Sequence, residues 1–282
     1  MLHLRRVKWA LRKSRLPAVD GLVLDVGSGG KPYPRSDILF DRLTGSEHRC
    51  GTSMMIDRPA VFGDATKLPF KDKSFDFVVA SHILEHIANP GVFLDELQRV
   101  GKAGYIETPN IIFERLHPYD IHCLEVVSID KVLHIYKKKQ PIEDSFLGCL
   151  NFLQKDQMWK SFFFEKPDMF HVRYFWKEKI EYFIHNPEVS CEWVESINDN
   201  SEIGELKSSY LIGNPGWRGY GLKLLGTWYA LQRRKRLKDW DLLSVLVCPE
   251  CKGDLERDGG VLACRACDIR FSNDPHPNFT RR

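Results

Sequence analysis

The 282-residue chain lacks any apolar run near the roughly 18 residues of a membrane span, so a helical transmembrane protein is excluded. It also lacks net charge. Forty-one Lys and Arg against 38 Asp and Glu leave +3, too near balance for charge alone to argue for nucleic acid. No apolar stretch is followed by a small-residue cleavage site, so no secretory signal is expected and the expected compartment is the cytoplasm. Apolar residues are not scarce. At 43% they exclude a wholly disordered chain, and the length suits one large domain or two smaller ones.

The first 19 residues contain no acid and six cations, Arg5, Arg6, Lys8, Arg12, Lys13 and Arg15, with Leu4, Val7 and Leu11 at helical spacing. A basic N-terminal helix is expected over 1–19. The plain reading is a solvated helix; the sharper one is a surface for an anionic partner, and the run 233–238 invites the same two readings. Buried strands are expected at 21–26, 36–41, 60–64, 75–81 and 103–108. Their apolar residues are continuous rather than alternating, which points to a parallel sheet covered on both faces. Residues 91–100 form a helix with Val92, Phe93, Leu97 and Val100 on one stripe. Residues 175–186 and 222–238 read as further helices, and 191–196 and 208–213 as further strands. Between the fifth strand and residue 175, the segment 111–170 is too long for a connection and holds ten aromatics, which suggests an insertion over a substrate.

The strongest signal in the first half is LVLDVGSGGKPYP (22–34). Glycine after a buried strand permits a sharp turn and the close approach of a ligand. A dinucleotide fingerprint fails because its third glycine is Pro32, and no Gly-Lys-Ser/Thr of a phosphate loop follows. What remains is Asp25 two residues before Gly27, then Gly29. This run resembles motif I of class I S-adenosylmethionine-dependent methyltransferases, in their small-molecule branch. Asp41, Gly63-Asp64-Ala65 and SHILEHI (81–87) follow in the family's order, and the resemblance spans roughly 20–110. It implies an α/β fold, a Rossmann-like seven-stranded mostly parallel sheet, with S-adenosylmethionine as cofactor. It places Asp25, Gly27 and Gly29 at the cofactor turn, Asp41 on the ribose hydroxyls, Asp64 and Ala65 at the adenine, and Ser81 after strand four. Only about six residues separate the glycine turn from strand two, so the first crossover helix is expected to be very short or a loop.

Methyl transfer to oxygen or nitrogen needs a positioned nucleophile and a base. The candidates near the ends of strands four and five are His82, Glu85, His86, His117 and His122, with Asn110, Tyr119 and Asp120 beside them. Each histidine also reads as a hydrogen-bonded structural residue, so no catalytic residue is assigned.

Cysteines occur in two patterns. Cys50, Cys123, Cys149 and Cys191 are single and read as inert thiols. Cys248, Cys251, Cys264 and Cys267 form two CxxC pairs, the spacing of a closed tetrahedral Zn site with a structural role. The segment around them, about 241–275, resembles the small zinc-ribbon family that activates tRNA, rRNA and protein methyltransferases. The expected organisation is a methyltransferase domain, 1–240, and a zinc-ribbon module, 241–282, that docks on it intramolecularly. The acceptor is expected to be an unidentified small molecule or glycan. A tRNA, rRNA or protein methyltransferase, and a non-catalytic cofactor-binding scaffold, stay open as alternatives.

Overall fold

The structure, a computed structural model, describes residue 16 and residues 19–42, 53–141, 156–195 and 217–280. The basic segment 1–15, Cys50, Cys149 and the expected strand at 208–213 lie outside them. The chain divides into two compact units. The first comprises Ala18–Ala80, Val92–Gly104 and Glu202–Arg282; the second comprises Met1–Pro17, Ser81–Gly91 and Tyr105–Ser201.

The first unit is built on β1 (Val23–Val26), β2 (Ile38–Asp41), β3 (Ala60–Phe62) and β4 (Phe77–Ser81). They pair in parallel, with Asp25 opposite Leu39 and Val79, and Asp41 opposite Phe62. Every residue of these four strands is buried, as expected for parallel strands covered on both faces. Two further strands, β5 (Ala103–Pro109) and β8 (His171–Lys177), follow along the chain. Pro90 opens helix α1 (Pro90–Val100), where its missing N–H costs nothing. Phe93, Leu94, Leu97 and Val100 are fully buried, whereas Val92 is 51% exposed, so the buried stripe includes Leu94 in its place.

No helix connects β1 to β2. A loop replaces it, pinned by Asp37, whose buried carboxylate accepts from the Val23 amide (3.0 Å), Arg35 (2.8 Å) and Arg236 (2.6 Å). Arg58 and Arg233 donate to the Ser36 carbonyl. Arg233 and Arg236 end α4 (Trp217–Arg236). Two cations of the basic run are therefore spent inside the fold, while Arg234, Lys235 and Lys238 are exposed.

In the second unit, α2 (Ile111–Leu116) leads to the hairpin β6 (Leu124–Ile129) and β7 (Val132–Lys137). Its two turn residues, Asp130 and Lys131, both have positive φ (49° and 64°), as a tight hairpin turn of this hand requires. Helix α3 (Gln157–Glu165) precedes β8, and β9 (Tyr182–Ile184) pairs in parallel with β7. The expected helix over 175–186 is thus incorrect. Tyr174 and Trp176 are buried while Phe175 is exposed, a period of two, and Glu178 turns the chain at φ 64°. The expected strand over 191–196 is also incorrect, since residues 193–195 are helical. Cys123 and Cys191 are buried, and the Cys191 thiol donates to the Cys123 carbonyl at 3.4 Å.

The C-terminal part of the first unit is a small antiparallel sheet, β10 (Leu255–Asp258), β11 (Val261–Cys264) and β12 (Arg270–Ser272). Backbone hydrogen bonds tie the segment ahead of it to the rest of the unit. The Val247 amide donates to the Pro69 carbonyl (3.0 Å) and the Lys71 amide to the Val245 carbonyl (2.8 Å). Phe62 and the 277–279 tail exchange two more backbone bonds at the free edge of β3. Among the described residues no helix is long and apolar enough to cross a membrane.

Lys252, just after Cys251, reaches Glu96 on α1 (3.2 Å), which Arg99 also holds. Burial pushes the Glu96 pKa up, but Arg99 and then Lys252 outweigh it and hold the carboxyl below its ordinary value. Such a group stabilises the folded state above about pH 4.5, and that contribution is lost as pH falls through the lower folded-state value. Urea unfolding between about pH 6 and 3 is therefore expected to show Glu96→Gln losing less stability on acidification than the unaltered protein. Parallel curves for the two proteins would remove this contact from the acid response.

Candidate functional site

The first unit holds the glycine turn. Gly27 (φ 70°) and Gly29 (φ 54°) adopt the left-handed backbone that favours glycine. The Gly27 amide donates to the Phe40 carbonyl (2.8 Å) and the Gly29 amide to Asp41 Oδ2 (2.9 Å), so the end of β2 shapes the turn. Asp41 Oδ1 accepts from the Arg42 amide. Asp25, 2% exposed, accepts the Tyr33 amide at 2.5 Å and ties the far end of the loop to β1. Asp64 is exposed and caps the 3-10 turn Ala65–Lys67 through the Thr66 amide and hydroxyl, and Ala65 is buried. The Ser28 hydroxyl is buried and has no hydrogen-bond partner. Leaving such a group unpaired costs about 1–3 kcal/mol, which a polar ligand at the turn would recover. An orphaned donor beside two left-handed glycines and two carboxylates fits the S-adenosylmethionine that a methyltransferase domain implies.

The second unit brings most of the other candidates together. Ser81 Oγ is also buried and without a partner. His82, with φ 57°, sits between two buried carboxylates: Nδ1 is 3.2 Å from Glu85 and Nε2 is 3.5 Å from Glu107. Burial lowers its pKa, but the bonds to Glu107 and Glu85 win and raise it to about 9, so the ring is cationic at neutral pH. The Glu107 carboxylate also accepts from Tyr105 at 2.5 Å, and the Glu85 carboxylate from the Thr108 hydroxyl at 2.8 Å. His86 donates from Nδ1 to the Ile121 carbonyl (2.9 Å), and its ring meets that of His122 edge to face at 4.6 Å. Burial, then the charge of His122, push the His86 pKa down to about 4. Glu114, fully buried, holds His122 Nδ1 at 2.6 Å and Lys138 Nζ at 2.8 Å.

His117 is the C-cap of α2, its ring near Phe113 (5.4 Å) and Trp159 (6.2 Å), and burial lowers its pKa. Asn110 caps α2 by accepting the Phe113 amide, Tyr119 packs on His122 at 4.7 Å, and Asp120 is exposed. Sequence reasoning missed Glu107, Glu114 and Lys138. The available signal for Glu107 was an acid inside the apolar strand AGYIET.

The cysteine pairs converge in the first unit. Cys248 and Cys267 sulfurs are 3.7 Å apart, Cys251 and Cys264 3.4 Å, and Cys251 and Cys267 3.6 Å. A tetrahedral ion with Zn–S near 2.3 Å sets S···S edges of about 3.8 Å, and a disulfide would need about 2.05 Å. The four thiols therefore fit a structural zinc. In each pair the residue after the second cysteine, Lys252 or Asp268, has φ 57°, so the two knuckles repeat one backbone shape. A Cβ on Gly253 would lie 3.0 Å from Ala266 Cβ and 3.3 Å from Cys251 Sγ, so only glycine fits without a shift.

Comparison with known proteins agrees with both ends of the chain. Residues 42–106 match the family described as methyltransferase domain, and residues 239–272 match Trm112p-like protein. A demethylmenaquinone methyltransferase of Streptomyces avermitilis is 50% identical over 46 residues, 16% of this chain and 20% of that protein. One of Mycobacterium sp. strain KMS is 46% identical over 48 residues, 17% of this chain and 21% of that protein. The chain thus spans about a fifth of the length of the curated relatives it matches. Among solved structures, a complex of the Haloferax volcanii Trm112 methyltransferase activator with a methyltransferase matches at 22% identity and TM-score 0.29, over 38% of this chain and 54% of that one. An S-adenosylmethionine-dependent methyltransferase from Mesorhizobium loti matches at 15% identity and TM-score 0.30, over 38% and 56%. The chain carries a methyltransferase domain, matched over residues 42–106, and a Trm112p-like zinc ribbon, matched over residues 239–272, in one polypeptide.

Proposed function

We propose that the protein is an S-adenosylmethionine-dependent methyltransferase acting on a small-molecule or glycan acceptor. The observation that carries the cofactor is the buried, unpartnered Ser28 hydroxyl on the turn formed by Gly27 and Gly29. Asp41, at the end of β2, would take the ribose hydroxyls, and Asp64 with Ala65 would meet the adenine. Asp25 shapes the turn through the Tyr33 amide. When bound, the cofactor supplies a methyl group on a sulfonium sulfur. The acceptor's lone pair forms the new bond to that carbon as the S–CH3 bond breaks, and the acceptor's proton must leave. His82 is a cation at neutral pH and suits holding an anionic or polar group rather than taking that proton. His117, kept neutral by burial, suits proton acceptance. Residues 111–170, of which 142–155 lie outside the described residues, would form the acceptor pocket and exclude water from it.

The curated relatives are named demethylmenaquinone methyltransferases, which favours a small-molecule acceptor. The Trm112p-like segment favours a second reading, an RNA or protein acceptor. Calorimetry tests the cofactor first. One equivalent of S-adenosylmethionine should bind, and Asp41→Ala should weaken it by about 1.5–3 kcal/mol through lost charged hydrogen bonds. Unchanged affinity would remove Asp41 from the site, and preference for a dinucleotide would overturn the cofactor. Turnover with cell extract follows. Activity that survives both RNase and protease supports the small-molecule or glycan reading; loss with either treatment assigns the other class, and tight binding without turnover assigns a scaffold. Once the acceptor is known, His117→Ala should lower turnover with cofactor affinity unchanged.

A further inference from the structure

We propose that Glu85, His86 and His122 form a second metal site, open in coordination, for a divalent transition ion of the Zn²⁺ or Fe²⁺ type. One nitrogen of each histidine and one Glu85 oxygen lie within 4.8 Å of one another. The hydrogen bonds decide which nitrogens are available. The Ile121 carbonyl can only accept, so His86 Nδ1, 2.9 Å away, carries its proton. Glu114 Oε1 accepts from His122 Nδ1 at 2.6 Å, with Lys138 compensating its buried charge at 2.8 Å. In both rings Nε2 is left as the lone-pair nitrogen. A ring fixed in this tautomer by a carbonyl or carboxylate on the opposite nitrogen is the usual support of a metal-binding imidazole. Glu85 brings the charge. Its oxygens accept from His82 and Thr108, and each retains a further lone pair.

The backbone holds the three residues in place. Glu85 and His86 lie in the 3-10 turn Leu84–His86, directly after β4. The Cys123 amide donates to the Glu85 carbonyl at 2.8 Å, which anchors the neighbour of His122 to that turn. Two imidazoles and one carboxylate form a donor set shared by hydrolytic zinc and non-haem iron sites. Unlike the four cysteines, three ligands leave positions for a water or for an oxygen or nitrogen of a bound molecule. The ion would draw that group in and lower its pKa, favouring ligands with a hydroxyl or carboxylate oxygen. This inference stands apart from methyl transfer, and its test reads metal rather than turnover.

The full chain would be stripped with chelator, reloaded separately with Zn²⁺ and, without oxygen, with Fe²⁺, desalted and assayed for metal. X-ray absorption at the metal edge would follow. The expected result is two equivalents, one in an all-sulfur shell near 2.3 Å and one in a nitrogen and oxygen shell at about 2.0–2.2 Å. His86→Ala and His122→Ala should each retain only the sulfur-bound equivalent, and Glu85→Gln should weaken the other at least tenfold. A single sulfur-bound equivalent with both metals overturns the proposal. Retention of both equivalents in both histidine variants overturns it as well. If the variants do not fold, the shell and stoichiometry of the unaltered chain decide between the same two outcomes.

Discussion

Cys248→Ser is expected to release the thiolate-bound zinc and unfold the ribbon while β1–β4 remain paired. The three sulfur–sulfur distances of 3.4–3.7 Å already match the edges of a tetrahedral zinc site, so the fourth thiolate has no substitute within the cluster. Its apolar interior is small, chiefly Leu255, Leu262, Phe271 and Phe279. A module of this size rarely holds together without metal or disulfide help. Structural zinc contributes on the order of 10 kcal/mol to such folds, far more than this core supplies. Unfolding would also free the Val245 and Val247 bonds to residues 69–71 and the tail bonds to Phe62. The free edge of β3 would then present unpaired backbone groups, and aggregation should rise. Zinc content with an all-sulfur absorption shell, and limited proteolysis within 249–280, check the result. A variant that keeps that shell and resists protease would show that three thiolates suffice.

Asp37→Ala is expected to destabilise the first unit by about 3–5 kcal/mol, the usual effect of removing one partner from a buried ion pair. Asp37 is fully buried, and it joins the Val23 amide to the guanidinium groups of Arg35 and Arg236. Its removal strands two cations and one strand amide. The loss falls where the fold lacks a crossover helix, so the loop that carries Tyr33 and, through it, Asp25 should loosen. Asp37→Asn should be milder, because its amide oxygen can still accept from Val23. Urea unfolding gives the stability change. Calorimetry should then show weaker S-adenosylmethionine binding in the alanine variant. A loss below about 1 kcal/mol would mean that Arg58 and Arg233, through the Ser36 carbonyl, hold the loop without Asp37.

Local patterns carried the first half of the fold. Each of β1 to β5 is a short continuous apolar run, and a buried parallel strand needs little else to be recognised. The six residues between the glycine turn and β2 left room for no more than a very short helix or a loop. The cysteine pairs were legible because each CxxC places its two sulfurs by itself, leaving tertiary structure only to bring the knuckles together.

Beyond 170 local pattern misled. FWKEKIEYFIHN contains good helix formers, yet the pairing of Leu133 with Tyr182 and Ile135 with Ile184 keeps Tyr182–Ile184 extended. Backbone bonds to a distant strand override propensities worth only tenths of a kcal/mol per residue. The cluster around Glu114 was hidden for the same reason. Glu114 and Lys138 read singly as surface charges, and only the turn after β4, the loop after α2 and the end of β7 meeting buries them against His122. The sequence by itself determined the parallel strands, the glycine turn and the zinc ligands, since those depend on neighbours a few residues apart. Tertiary structure alone decided which charges are buried, which histidine nitrogen keeps its lone pair and which cations of the run ending α4 are held inside the fold, because each depends on residues brought together from distant parts of the chain.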